Sequence, residues 1–308
     1  MMKKLFVFVI TSGILLACAS EPENKKNLVK GKPHTTNNQN KKSANLNISI
    51  LLDLSDRIDT IKYNNQSMQF YRRDVGYLKS VAEAFGDEIK YKKSRQLDDK
   101  IQLYFDPEPL NPKINDLSNQ LKFHVTRDNG TIDFINEISS TYAYFGLEIY
   151  KQALKDANHD NGSDTWGFFK NKVKDYCIDK DYRNILVILT DGYIFYEDSN
   201  LNEGNLSSYI TPKKIRQKKL NTSNWKEVME SNKHGFIPVG QDLSNLEILV
   251  LGVNPTKTNN NDYDYDVLKK YWSDWLYGMG LEEGNFEFKM ADLPANMDKI
   301  IKEFIKKK

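Results

Sequence analysis

Ile48-Ser49-Ile50-Leu51-Leu52-Asp53-Leu54-Ser55-Asp56-Arg57 is the stretch that decides the fold. A short apolar, β-branched-rich run closed by polar residues reads as a buried strand. Here the run stops abruptly at an acid, a hydroxyl and a second acid. In an open parallel α/β sheet, ligands bind just beyond the carboxyl ends of such strands. Asp53 and Ser55 therefore stand where a parallel strand would deliver them to a site. A second buried run, Ile185-Leu186-Val187-Ile188-Leu189, ends in a similar polar signature, Thr190-Asp191-Gly192. If the two strands are neighbours, their ends flank one crevice.

Working outward, strand and helix patterns alternate. A helix is predicted from Ser67 to about Phe85, where Phe70, Asp74, Tyr77, Leu78, Val81 and Phe85 keep an i, i+3/i+4 rhythm. Residues 100–106 and Leu121–Thr126 read as strands, and Thr141 to about Ala157 as a helix. Ile248–Leu251 is another buried strand, followed by an aromatic amphipathic helix over 264–279, a strand through Phe286, Phe288 and Met290, and a last helix opened by Pro294. Strands interleaved with helices predict an α/β fold, doubly wound, with a mainly parallel central sheet flanked by helices. Residues 192–245 interrupt the rhythm, and a connection of that length reads as an insertion that is functional or elaborates a surface.

The N-terminus has a different character. Residues 1–17 pair a basic start, Lys3 and Lys4, with a short apolar body, which is the pattern of an export signal and too short for a spanning helix. Leu15-Leu16-Ala17-Cys18 resembles the lipobox of bacterial lipoproteins. That resemblance implies cleavage before Cys18, acylation of the new N-terminal Cys18, and stable anchoring by several acyl chains in the bacterial cell envelope. Ala19 after the cysteine implies the outer membrane by similarity to enterobacterial sorting. Residues 18–45 hold the lipidated cysteine and then Ser, Glu, Asn, Lys, Pro and Thr, a composition unable to bury a core, so they read as a tether. The folded domain is predicted over 46–308. Without Lys3 and Lys4, the 44 basic residues become 42, equal to the 42 acidic ones. Bulk attraction to nucleic acid is therefore not expected.

Ser139-Ser140-Thr141 is predicted to open a helix whose N-terminus faces the crevice. Asp53, Ser55, Thr141 and Asp191 would then be hard oxygen donors without His or Cys, a set suited to Mg²⁺ or Mn²⁺ and not to zinc. The order strand–Asp-x-Ser, helix-opening Thr, strand–Thr-Asp-Gly resembles a von Willebrand factor type A domain, over roughly residues 46–308. The resemblance implies a metal-ion-dependent adhesion site, in which these four residues bind the metal and an acidic residue of a partner protein completes it. The sequence departs from the family at Arg57, where a second Ser is usual. Turned inward, Arg57 would weaken metal binding by like-charge repulsion. Turned outward, it would pair with Asp56 or Asp59. In a metal-free site it would pair with Asp53.

Other features carry less. Asp156–Asp164 alternates oxygen donors around Gly162, but the glycine is one place late for an EF-hand and no Glu follows, so the cluster reads as turns and not as a Ca²⁺ loop. The run Lys213–Lys219 reads as a solvated face. Tyr193, Phe195 and Tyr196 follow the second polar signature and read as core packing or as a rim touching a partner. Cys177 reads as a small buried residue. Asp-x-Ser in place of Asp-x-Asp leaves an aspartate-nucleophile phosphatase without its second acid. The expected function is a lipid-anchored, non-enzymatic binding module that engages an acidic group of a partner protein through a divalent cation. The alternatives are a metal-dependent phosphate-ester hydrolase at the envelope, and an assembly subunit with a degenerate metal-free site.

Overall fold

The structure, a computed structural model, describes residues 44–156, 162–255 and 262–306. The export segment, Cys18, most of the tether and the centre of the 156–164 cluster lie outside the described residues. The chain divides into Met1–Lys42 and Ser43–Lys308, and the second unit carries the fold described here. Among the described residues no helix is long and apolar enough to cross a membrane.

In chain order, β1 (Asn45–Leu52) is followed by α1 (Phe70–Ile89), β2 (Asp98–Tyr104), α2 (Pro112–Asn119), β3 (Phe123–Thr126) and α3 (Ile132–Ala153). A two-residue β4 (Gly162–Ser163) leads to α4 (Thr165–Asn171), α5 (Val173–Cys177) and the second central strand, β5 (Tyr182–Leu189). Short pieces follow: β6 (Phe195–Tyr196), β7 (Asn202–Glu203), β8 (Leu206–Ser207), α6 (Pro212–Gln217), α7 (Trp225–Ser231) and β9 (Gly235–Phe236). β10 (Leu246–Val253), α8 (Asp264–Tyr277), β11 (Phe286–Met290) and α9 (Pro294–Lys306) complete the chain. The main sheet runs β11-β10-β5-β1-β2-β3. Every neighbouring pair is parallel except β2 with β3. This is the doubly wound, mainly parallel α/β architecture expected, and β1 and β5 are indeed neighbours.

Alternation along the central strands divides the core into two layers. Ile48, Ile50 and Leu52 of β1 pack with α1, α3 and α9, whereas Leu51 packs with the layer of α4, α5 and α8. Burial on both faces is what parallel strands require. On the α5 side, β1 also buries two polar residues that are hydrogen-bonded. Asn47 Nδ2 donates to Cys177 O and to Asn184 Oδ1, and Ser49 Oγ donates to Tyr176 O. Cys177 is buried, and burial pushes its thiol up to about 12, so it packs as an inert group.

Two helix starts differ from expectation. α1 begins at Phe70, three residues after Ser67. α3 begins at Ile132 and not at Thr141. Thr131 is its cap, with Oγ1 accepting from Phe134 N at 3.2 Å. The hydroxyls at 140 and 141 look like a cap in sequence, but both donate back to Glu137 O, at 2.9 and 2.8 Å. Hydroxyl residues bond to the preceding turn in this way when they sit inside a helix.

Residues 192–245 form the crossover that a parallel β5–β10 pair requires. They bury Ile194, Ile210, Ile215, Leu220, Met229 and Leu243 in the second core layer. Trp166 of α4 and Trp275 of α8 both donate their indole N–H to Ile237 O, at 2.9 and 3.2 Å.

Candidate functional site

The β1 and β5 ladders run on past their last strand residues. Asp53 N donates to Leu189 O, Thr190 N to Leu251 O and Asn254 N to Asp191 O. That register brings Asp53, Thr190 and Asp191 together at the carboxyl end of the sheet. Asp53 is buried, and its carboxylate is fixed at both oxygens. Oδ1 accepts from Ser55 N at 2.8 Å, and Oδ2 accepts from Thr190 Oγ1 at 3.0 Å. Thr190 Oγ1 also accepts from Gly192 N. Asp191 is half-buried, with Oδ1 accepting from Tyr193 N at 2.9 Å. Ser55 is half-buried, and its side chain makes no capping bond to the short helical turn it precedes.

Two glycines hold the loops at this end. Gly192 has φ +95° and presents its carbonyl to Trp272 Nε1 at 2.9 Å. Gly252 has φ +88°, and a Cβ there would lie 3.1 Å from Thr190 O and 3.5 Å from Asp74 Oδ1. Both the backbone conformation and the close approach select glycine.

Arg57 points inward. The residue is 5% exposed. One of its terminal nitrogens donates to Asp74 Oδ2 at 2.6 Å and to Leu189 O at 3.1 Å, and Nε donates to Asp53 O at 3.3 Å. The Asp53 carboxylate is more distant, at 3.6 Å from Nε. Tyr150 Oη donates to the same Asp74 oxygen at 2.7 Å. Burial opposes the charge on Arg57, yet Asp74, Tyr150 and Asp53 lift its pKa above the ordinary value. Burial raises Asp74, and Arg57 and Tyr150 pull it back. Asp191 is pushed up to about 7, first by burial and then by the charge on Asp53. A raised folded-state pKa favours the fold below the unfolded value near 4, and that contribution is lost as pH rises through about 7. In chelator-treated buffer, Asp191→Asn is expected to be more stable than the parent at pH 8 and close to it at pH 4, as read by urea unfolding.

The other expected site residues are dispersed. Thr141 sits in the interior of α3, with its hydroxyl committed to Glu137 O. The chain entering α4 reaches the end of β2. Asp164 N donates to Asp106 O just past β2, and the buried Thr165 opens the helix. Asp56 pairs with Lys62 and not with Arg57. Tyr193 turns to α8, donating to Asp264 Oδ2 at 3.0 Å, and Phe195 is exposed. Tyr196 lines a pocket of about 170 Å³ with Leu52, Leu54, Phe105 and Ile114, beside the ends of β1 and β2. Asp164 caps α4 through Gly167 N and accepts from Ser199 Oγ, as a turn residue does. Of the basic run, Lys214 lies over the Tyr209 ring. Among the described residues no group of three or more His, Cys, Asp or Glu is disposed to hold a metal, so any cation here would lean on hydroxyl donors as well as on Asp53 and Asp191.

Asp74, Tyr150 and Thr190 were not among the sequence-derived site residues. Asp74 carried a signal: a carboxylate on the apolar stripe of α1 needs a buried partner. No protein-family model, curated protein or solved structure matches this chain.

Proposed function

We propose that the chain is an envelope-anchored binding module, held through acylated Cys18, whose crevice takes up Mg²⁺ or Mn²⁺ and through it an acidic group of a partner protein. One observation carries the reading: the single Arg57 guanidinium is shared among Asp74, at 2.6 Å, Asp53, at 3.6 Å, and the charge of Asp191, so the Asp53–Asp191 pair is only partly neutralised. Asp53, Ser55 and Asp191 are hard oxygen donors of the kind these ions take. They would hold the ion, and Thr141, committed to Glu137 O inside α3, would not. When bound, the ion supplies an electrophilic position that a carboxylate can fill.

Calorimetric titration of Ser43–Lys308 with Mg²⁺ and Mn²⁺ tests this. Binding at millimolar metal or below is expected, with loss in Asp53→Ala and in Asp191→Ala and no change in Thr141→Val. A flat titration of the parent would overturn it. The position of Arg57, 3.6 Å from Asp53 Oδ2, favours one second reading: an assembly subunit in which the guanidinium itself is the cation. That reading expects no metal uptake, and partner binding that survives Asp191→Ala.

A further inference from the structure

We propose that Asp74, fixed by Tyr150, is a positioning residue: it draws the Arg57 guanidinium toward α1, limits its pairing with Asp53, and so leaves Asp53 and Asp191 able to take a cationic ligand. The inference rests on the cation-binding reading above for its purpose, but its geometry stands apart from it.

Arg57 leaves the β1 loop only four residues after Asp53, close enough for the two side chains to form a direct ion pair. The guanidinium pairs with both carboxylates, tightly with Asp74, at 2.6 Å, and more loosely with Asp53, at 3.6 Å. Two features bias it toward Asp74. Asp74 is 1% exposed on the crevice-facing stripe of α1, so its charge is poorly screened by water. Tyr150, fully buried on α3, donates to the Asp74 oxygen that also receives Arg57, which fixes the carboxylate rotamer. Meanwhile the Asp53 carboxylate takes its hydrogen bonds from Ser55 N and Thr190 Oγ1. α1 and α3 thus both draw the guanidinium away from a closer pair with Asp53 that would neutralise the acidic pair further.

Asp74→Asn keeps the size of the side chain and removes the charge. In its crystal structure the guanidinium is expected to turn from α1 and close on the Asp53 carboxylate from 3.6 Å to hydrogen-bond distance. In calorimetry of the purified full chain, Mg²⁺ affinity is expected to fall by about tenfold or more, because the guanidinium then opposes the metal at close range. Asp74→Asn/Arg57→Ser is expected to recover affinity to the level of Arg57→Ser alone, a rescue that a merely structural role for Asp74 does not give. Tyr150→Phe keeps both charges and is expected to shift the guanidinium in the same direction with a smaller loss, and it carries the comparison should Asp74→Asn not fold. An unmoved guanidinium in these variants, or an undiminished affinity beside a parent that binds, overturns the inference. A parent silent to Mg²⁺ overturns the metal reading instead, and the guanidinium position then decides the positioning role alone.

Discussion

Asp74→Ala is expected to cost the fold about 3–5 kcal/mol, the range for removing one partner of a buried ion pair. The loss is not confined to one contact. Arg57 would keep its charge at 5% exposure with the Asp53 carboxylate, 3.6 Å away, as its remaining close acidic partner, and the buried Tyr150 hydroxyl would lose its acceptor. Arg57→Ala should be milder below neutral pH, since burial already raises Asp74 and a proton can replace the guanidinium. Replacing both residues by leucine should restore most of the stability, because a buried pair exchanged for apolar groups of similar size is often close to neutral. Urea unfolding of the three variants at pH 5 and pH 8 separates these outcomes. A loss under about 1 kcal/mol for Asp74→Ala would mean that solvent reaches the pair.

Trp272→Ala is expected to cost about 3–5 kcal/mol as a large-to-small change in a packed core. Trp272 is fully buried, edge-on to Trp275 and Phe236, and its indole N–H holds the Gly192 carbonyl. The substitution should therefore loosen the site loop as well as the core. Trp272→Phe isolates the second effect. It retains most of the apolar contact and removes the donor, and should cost about 1–3 kcal/mol for the carbonyl left unpaired. Denaturant midpoints give the stability terms. Exchange of the Gly192 amide, which donates to Thr190 Oγ1, reports the loop.

The sheet was legible because its central strands are apolar runs cut off sharply by acids. Ile48–Leu52 and Ile185–Leu189 each hold a side of two core layers, so their burial overrides any ambiguity of local pattern. Asp53 and Asp191 were legible for the same reason, since the end of a buried parallel strand is a defined place. The helix carrying Thr141 was misjudged because serine and threonine give the same local signal at a cap and one turn inside a helix, where they bond backwards. The destination of Arg57 could not come from local sequence. Its partner Asp74 is 17 residues away and its second-tier partner Tyr150 is 76 residues beyond that, so only packing of α1 against α3 decides it.

The shared carbonyl of Ile237 has a consequence for how the molecule opens. Two indoles from helices far apart in sequence converge on one oxygen inside the long crossover. The crossover cannot lift off while either helix stays in place without exposing its isoleucines and leaving two buried donors unpaired. Opening of that kind draws on the global free energy of the domain and not on a local fluctuation. Residues 192–245 should therefore belong to the same cooperative unit as the sheet. The backbone amide of Ile237, paired with Ser207 O, should exchange at the rate of the β5 core and not at the rate of a surface loop.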